Sequence, residues 1–477
     1  MERMSGADAL MIYLDRAEAY NHTIKLQILD PSEDPEGWSW LRFKRTMASR
    51  VGLVPRLRQR YLRVPLGINH PVWVEDPAFD IDYHLRRVGC PAPGTAVELC
   101  ELVCELYAHP LDHTRPLWQI WVIEGLPDGR IAVLLLIHHA LTDGIGILRM
   151  LNNFWQVRPE SMELADPGEW NPPPLPSKWR LFVDGLVELP RLVAANLPGA
   201  IRGIRAGRKI VASWRKEGRT LPPSAGDAQY PAPYARRLSP RRSLAIRSFG
   251  LPRVRAVAKA LDATINDVFL TAVSGAVRRL ALEQDGVAPA GPMVATVPFA
   301  LVPLAERTRD GNFSTVCHTL LFADVADPLE RLAACQRAAN TMKQYFEATR
   351  EANVAALFNL LPPMVPKAID RINEMKEGGL LPFWNIVASN VPGPRTPLQL
   401  GKMKLAQWFS IGQIAHGAAL NVTVWSYVDQ FNLCILADRD VLPDTWKLMD
   451  HFEASLAELE ALAATDRKAR AAAVPPE

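Results

Sequence analysis

The sequence predicts a mixed α/β protein of two similar halves, joined by a proline- and arginine-rich helical linker. Three observations predict it. Strand-like apolar runs alternate with segments of helical period in residues 1–158, and again in residues 241–465. Between them, residues 159–240 carry "NPPPLP" and "YPAPYARRLSP", the composition of a linker. The 477 residues also exceed one ordinary domain of roughly 150.

The first half opens with "DALMIYLDRAEA", which reads as a short helix. "HTIKLQILD" sets Ile24, Leu26 and Ile28 against polar neighbours, the alternation of a strand. Trp40, Phe43 and Met47 recur at helical spacing, and "VELCELVCELYAHPL" reads as a buried helix face. "WQIWVIEGL" and "RIAVLLLIHH" read as neighbouring strands turned at Asp128-Gly129, a hairpin signal. "ILRMLNNFW" continues as a helix.

In the linker, Arg202, Arg205, Arg208, Lys209, Arg215, Lys216 and Arg219 are opposed only by Glu217. Such a run reads as a solvated basic face or as a surface helix that meets anionic lipid. In the second half, "SLAIRSFGL", "PMVATVPFAL", "TVCHTLLFAD", "WNIVASNVPG" and "ALNVTVWSYVDQFNLCILAD" read as strands. "TINDVFLTAVSGAVRRLALEQ" and "DTWKLMDHFEASLAELEALAA" read as helices, and the tail 466–477 is expected to fray.

Composition excludes several classes. Apolar content of 48% and charged content of 22% suit a globular chain with large cores. A net charge of +3 argues against a dedicated nucleic-acid binder. The six cysteines form no CxxC pair and read as free thiols in a reducing compartment. No apolar stretch of spanning length occurs, so membrane contact is expected to be peripheral.

The sharpest feature is "LLLIHHALTDGIG". A doubly buried strand ends at His138 and His139, and Asp143-Gly144 then starts a turn. Alternation sends the two imidazoles to opposite faces, which weakens a bidentate metal reading. Catalysis, a satisfied core and a metal site are the three readings that spacing leaves open. A neutral histidine at such a strand end can act as a general base. Thr264 and Asp267 form a capping box around Asn266. Asn266 then marks a helix start alone, or a donor placed to stabilise an oxyanion. Pro116-Leu117-Trp118 reads as a packed strand start, with an apolar substrate wall as a second role. Arg241 and Arg242 are candidates to meet phosphates.

HHxxxDG, here His138-His139-Ala140-Leu141-Thr142-Asp143-Gly144, resembles the signature of the CoA-dependent acyltransferase superfamily. "PVWVEDPAFDIDYHLRRVGCPAPG", "PLDHTRPLWQIWVIEGL", "TINDVFLTAVSGAVRRL", "SNVPGP" and "LNVTVWSYVDQFNLCILADRD" are similar, in that order, to blocks of one branch. That branch is the bacterial wax ester synthase/diacylglycerol acyltransferase family. The chain departs from the family pattern at His113, where arginine is frequent, and at Gln119, where an acidic residue is frequent.

The resemblance implies two chloramphenicol-acetyltransferase-like domains with mixed sheets flanked by helices. It implies transfer of a long-chain acyl group from acyl-CoA, as co-substrate, to diacylglycerol or a long-chain alcohol. His139 would be the general base, with His138 and Asp143 holding the site and Gly144 permitting a tight turn. Asn266 would lie near the substrate, and Pro116, Leu117 and Trp118 would line it. No metal and no further cofactor are implied. The expected location is cytoplasmic, peripheral to the inner membrane or to lipid inclusions. Alternatives are a superfamily acyltransferase with another acceptor, and a non-catalytic lipid-binding member.

Overall fold

The computed structural model describes residues 1–143, 146–151, 170–224, 229–231, 233–302, 306, 311–350, 355–366, 368 and 385–472. The first lobe runs β1 (Glu2–Arg3), α1 (Gly6–Tyr13), β2 (His22–Asp30), α2 (Trp40–Val51), β3 (Gln59–Leu62), β4 (Val72–Glu75), α3 (Ile81–His84), β5 (Leu85–Gly89), α4 (Ala96–Tyr107), β6 (Trp118–Glu124), β7 (Ile131–His138) and α5 (Gly146–Leu151). The linker holds one 39-residue helix, α6 (Lys178–Lys216). The second lobe follows with β8 (Arg242–Gly250), α7 (Leu251–Ala260), α8 (Ile265–Asp285), β9 (Met293–Ala300), β10 (Ser314–Leu321), α9 (Pro328–Thr349), α10 (Ala355–Leu360), β11 (Ile386–Val391), β12 (Gln399–Leu400), β13 (Met403–Ile411), β14 (Leu420–Tyr427), β15 (Gln430–Asp438) and α11 (Thr445–Ala472).

Two six-stranded mixed sheets result. Their orders are β12-β13-β2-β7-β6-β5 and β10-β9-β11-β14-β15-β8. β12 and β13 come from the second half of the chain, yet β13 pairs antiparallel with β2 in the first sheet. The lobes are therefore interlocked by a strand that the sequence analysis did not read.

Local chemistry explains the elements. All eight residues of β7 are buried, as its unbroken apolar run requires. Capping boxes start α4 (Thr95 with Glu98) and α8 (Thr264 with Asp267), and Gly286 ends α8 in the left-handed conformation. The first helix stops at Tyr13, short of the predicted Ala19. Asp15 leaves the helix because its carboxylate accepts from the Asn21 backbone N–H at 2.8 Å and from the Asn21 amide at 3.0 Å. α11 carries helix through Ala472, into the tail expected to fray.

β2 departs from its alternating pattern in a telling way. The polar side is buried as well as the apolar one: Thr23, Lys25 and Gln27 are all buried. That side faces the second lobe: Lys25 Nζ lies 5.0 Å from the Trp425 ring of β14 and donates to Ser410 Oγ of β13.

The lobes are also pinned away from the sheets. Gly6 of α1 lies so close to α10 that an added Cβ would sit 2.1 Å from the Phe358 carbonyl oxygen. Arg242, a sequence candidate for phosphate binding, is instead buried. It donates to the Glu18 carbonyl and lies 3.6 Å from the buried Asp438 carboxylate. Arg241 is paired with Asp440. Truncating Arg242→Ala leaves the Asp438 charge buried without its cation. The expected cost is about 3–5 kcal/mol, read as a lower midpoint in urea denaturation.

Candidate active site between the lobes

β2 and β7 pair so that His22 stands opposite His138 and Lys25 opposite Leu135. Alternation then puts His138 on the side of His22, and His139 on the side of Ile137, Leu135 and Lys25. The His138 side is covered by α4, whose Tyr107 ring meets His22 edge-on. The His139 side faces the second lobe.

His138 is fully buried. Its Nδ1 accepts from the Ala140 N–H at 3.0 Å, which places the proton on Nε2. Nε2 donates to Asp15 Oδ2 at 2.8 Å. His113 Nε2 reaches the same oxygen at 3.2 Å, and Tyr61 hydroxyl meets His113 Nδ1 at 2.6 Å. Burial alone would raise the Asp15 carboxyl. The electrostatic pull of His138 and hydrogen bonds from His113, His138 and Asn21 instead hold it well below the usual carboxylate range. His113 thus supplies a hydrogen-bond partner to Asp15 at a position where arginine is frequent.

His139 is held by its backbone N–H, which donates to the Asn21 carbonyl at 2.8 Å. Desolvation between the lobes pushes its imidazole down to about 4, and the charges of Lys25 and His138 act in the same direction. Asp143 and a bond from the ring to the residue's own main chain oppose the shift. The Nδ1 edge also faces the Asn312 amide at 3.4 Å. No hydrogen bond among the described residues reaches Nε2. The ring's bond to its own main-chain carbonyl needs the proton on Nδ1, to which the Asn312 amide would turn its oxygen, and that tautomer leaves the lone pair on Nε2.

Among the described residues, the hydrogen bonds of Asp143 run to α5 and to the second lobe rather than to His139. Asp143 is fully buried and accepts from the Gly146 N–H at 2.6 Å, the Phe313 N–H at 2.9 Å and the Ser314 hydroxyl at 2.8 Å. Asp8 of α1 accepts from the Asn312 N–H at 2.7 Å. The segment Asn312–Ser314 of the second lobe is therefore seated on two carboxylates of the first. Gly144 lies outside the described residues.

Leu117 and Trp118 are buried. Trp118 stacks on His84 at 4.4 Å, donates to the Leu57 carbonyl at 2.7 Å, and lines a small apolar cavity with Leu135, Ile137, Ile147 and Met150. Leu135 and Ile137 share the His139 side of β7. Pro116 is buried at the strand start. Asn266 is the second residue of α8, half-buried, and its side chain makes no hydrogen bond among the described residues. The asparagine brought to His139 is Asn312.

Comparison with known proteins identifies the family. Residues 4–269 match the model of the wax ester synthase/diacylglycerol acyltransferase catalytic domain, and residues 310–460 match the WS/DGAT C-terminal domain. The chain belongs to the wax ester synthase/diacylglycerol acyltransferase family. It is an acyltransferase of the WS/DGAT type. A Mycobacterium tuberculosis protein provisionally named a diacylglycerol O-acyltransferase is 49% identical over 97% of this chain and 98% of its own. A second from that organism, named likewise, is 34% identical over 93% and 92%. The wax ester synthase/diacylglycerol acyltransferase of Marinobacter aquaeolei VT8 superposes with a TM-score of 0.66 at 25% identity, over 97% of this chain and 100% of that one. The first condensation domain of the calcium-dependent antibiotic synthetase, 15% identical with a TM-score of 0.60, shares the fold.

Sequence reasoning singled out His138, His139 and Asp143. It missed Asp15, Lys25, Asn312 and Asp8, which the structure brings to the same candidate site. Lys25 carried a signal in the alternation of β2. Burial pushes its ammonium down to about 8, against the pull of Cys434 and Asp143. Histidine titration by NMR should find His139 neutral down to about pH 4. Replacing Lys25→Met removes a nearby cation and should move that midpoint upward. An unchanged midpoint would show that Lys25 does not act on His139.

Proposed function

We propose that this acyltransferase moves a long-chain acyl group from acyl-CoA to the hydroxyl of diacylglycerol or of a long-chain alcohol, with His139 as general base. The observation that carries the reading is a neutral His139 at the end of β7, on the interlobe face, whose Nε2 no hydrogen bond among the described residues reaches. A hydroxyl is a weak nucleophile near neutral pH and needs a base within hydrogen-bond reach. Nε2 takes the hydroxyl proton as the oxygen attacks the thioester carbonyl. The tetrahedral intermediate collapses, the C–S bond breaks and CoA leaves as thiolate. The imidazolium returns the proton to it. Every atom is balanced without a metal, a further cofactor or an enzyme-bound acyl group.

His138 and Asp143 act as positioning residues, the first through Asp15 and the second through the Asn312–Ser314 segment. The apolar cavity beside Trp118, Leu135 and Ile137 suits the start of an alkyl chain. The names of the mycobacterial relatives favour diacylglycerol as acceptor, and the Marinobacter enzyme's name adds the fatty alcohol. Both acceptors reside in lipid, so the protein is proposed to work at a membrane or lipid-inclusion surface. Among the described residues no single helix is long and apolar enough to cross a membrane.

Purified protein with palmitoyl-CoA and either a diacylglycerol or hexadecanol should release CoA and form triacylglycerol or wax ester. His139→Ala should lower the rate by roughly 10²–10⁴-fold. Folded wild-type protein that makes neither product would overturn the reading. The acid limb of kcat/KM should have its midpoint near the His139 value of about 4, with activity lost below it because the protonated ring cannot accept a proton.

A further inference from the structure

α6 packs on the protein through Leu181 and Trp214 near its two ends and through Gly185, Ala200 and Gly203 between them. An added Cβ at Gly185 would meet Val64 at 2.8 Å. A line of large apolar residues is left pointing outward. Trp179, Leu186, Val193, Leu197, Ile201 and Ile204 are all exposed, Trp179 by 72%. At 3.6 residues per turn these six fall within an arc of roughly 80°, and they extend over about 38 Å of helix. Two other segments place exposed apolar side chains beside this helix. Leu66, 81% exposed at a left-handed φ of 58°, tops the turn whose Val64 meets Gly185. Met364 is exposed next to Pro363, which lies 3.8 Å from where a Cβ on Gly67 would stand.

Charge identifies what would cover this surface. From Leu189 to Lys216 the helix carries seven basic residues and no acidic one. Arg202, Arg205 and Lys209 border one edge of the apolar arc, and Arg208 and Arg215 continue its line. An apolar stripe with a basic border is the pattern of a helix lying in the headgroup region of an anionic bilayer. A second copy of this chain would bring the same cations face to face, which disfavours self-association there.

We propose that the outward face of α6, with Leu66 and Met364, is an insertion surface for anionic lipid, Leu197, Ile201 and Ile204 entering the acyl region while the arginines bind phosphates. This rests on the reading above that the protein works at a lipid surface, and it names the residues that do so.

The test is co-sedimentation of the full chain with phosphatidylcholine vesicles, with and without phosphatidylglycerol. Wild type should pellet with the anionic vesicles, less so at high salt. The variant Leu197→Ser/Ile201→Ser/Ile204→Ser should lose roughly tenfold or more in partition, because three apolar side chains no longer insert. Leu282→Ser/Val287→Ser, at exposed apolar positions elsewhere, should pellet as wild type. Circular dichroism checks that each variant is folded. A folded triple variant that pellets as wild type overturns the proposal, as does wild type that ignores anionic vesicles. So does a wild-type dimer, by light scattering, that the triple substitution makes monomeric without changing vesicle binding. Pelleting needs no turnover, so failure of acyl transfer and failure of lipid docking are read separately.

Discussion

How the Asp143 carboxylate is satisfied decides whether the two lobes can close. A buried carboxylate without donors would cost several kcal/mol, and this one is fully removed from water. One of its donors, the Gly146 N–H, starts α5 within its own lobe. The Phe313 N–H and the Ser314 hydroxyl come from the other lobe. Pulling the lobes apart would expose or orphan the charge. The same contact sets Asn312 against the ring of His139, so the closure of the fold and the geometry of the site are one event.

Strand geometry explains why two adjacent histidines have different duties. One residue of advance along β7 turns a side chain to the opposite face of the sheet. His138 therefore faces the helix-covered side, where both of its nitrogens are engaged and its proton is fixed on Nε2. Through Asp15 it ties the end of β7 to the loop that carries Asn21, whose carbonyl holds the His139 backbone. His139 receives the interlobe face and a free nitrogen. Desolvation there keeps it neutral, and the buried ammonium of Lys25 works in the same sense.

What was legible in the sequence was local. The unbroken apolar run of β7, the capping box at Thr264 and the His138-His139-Asp143 spacing each lie within a few neighbouring residues, and the first two are found in the structure as read. What was not legible depends on contacts far apart in the chain. Asn312 is 173 residues from His139, and a Gly-Asn pair before a strand looks like any turn. β13 joins the first sheet although it follows β11 and β12 of the second half, and alternation alone says nothing about which sheet a strand will enter. Asp15 was read as helical because its neighbours keep a helical period, whereas its carboxylate is engaged by Asn21 and by the distant His138 and His113. Lys25 was the one distant partner with a visible trace, since a lysine within a strand that proves buried on both sides has to find a reason to be there.

Asn359 connects these arguments to the linker helix. Its amide donates to Asn196 of α6 at 2.9 Å, and its oxygen accepts from the Gly6 N–H at the start of α1 at 2.7 Å. Three residues on from Gly6, within the same first turns, Ala9 is buried, and Asp8 beside it holds Asn312. A short series of hydrogen bonds and one close helix approach thus joins the helix that presents apolar residues outward to the segment that faces His139. This placement accounts for why a helix interrupted by Pro190 and Pro198 packs with glycine and alanine inward. Close approach to the turn at Val64 through Gly185, and the bond from Asn359 of α10 to Asn196, let one helix brace both lobes while its row of exposed apolar side chains stays on the outward face.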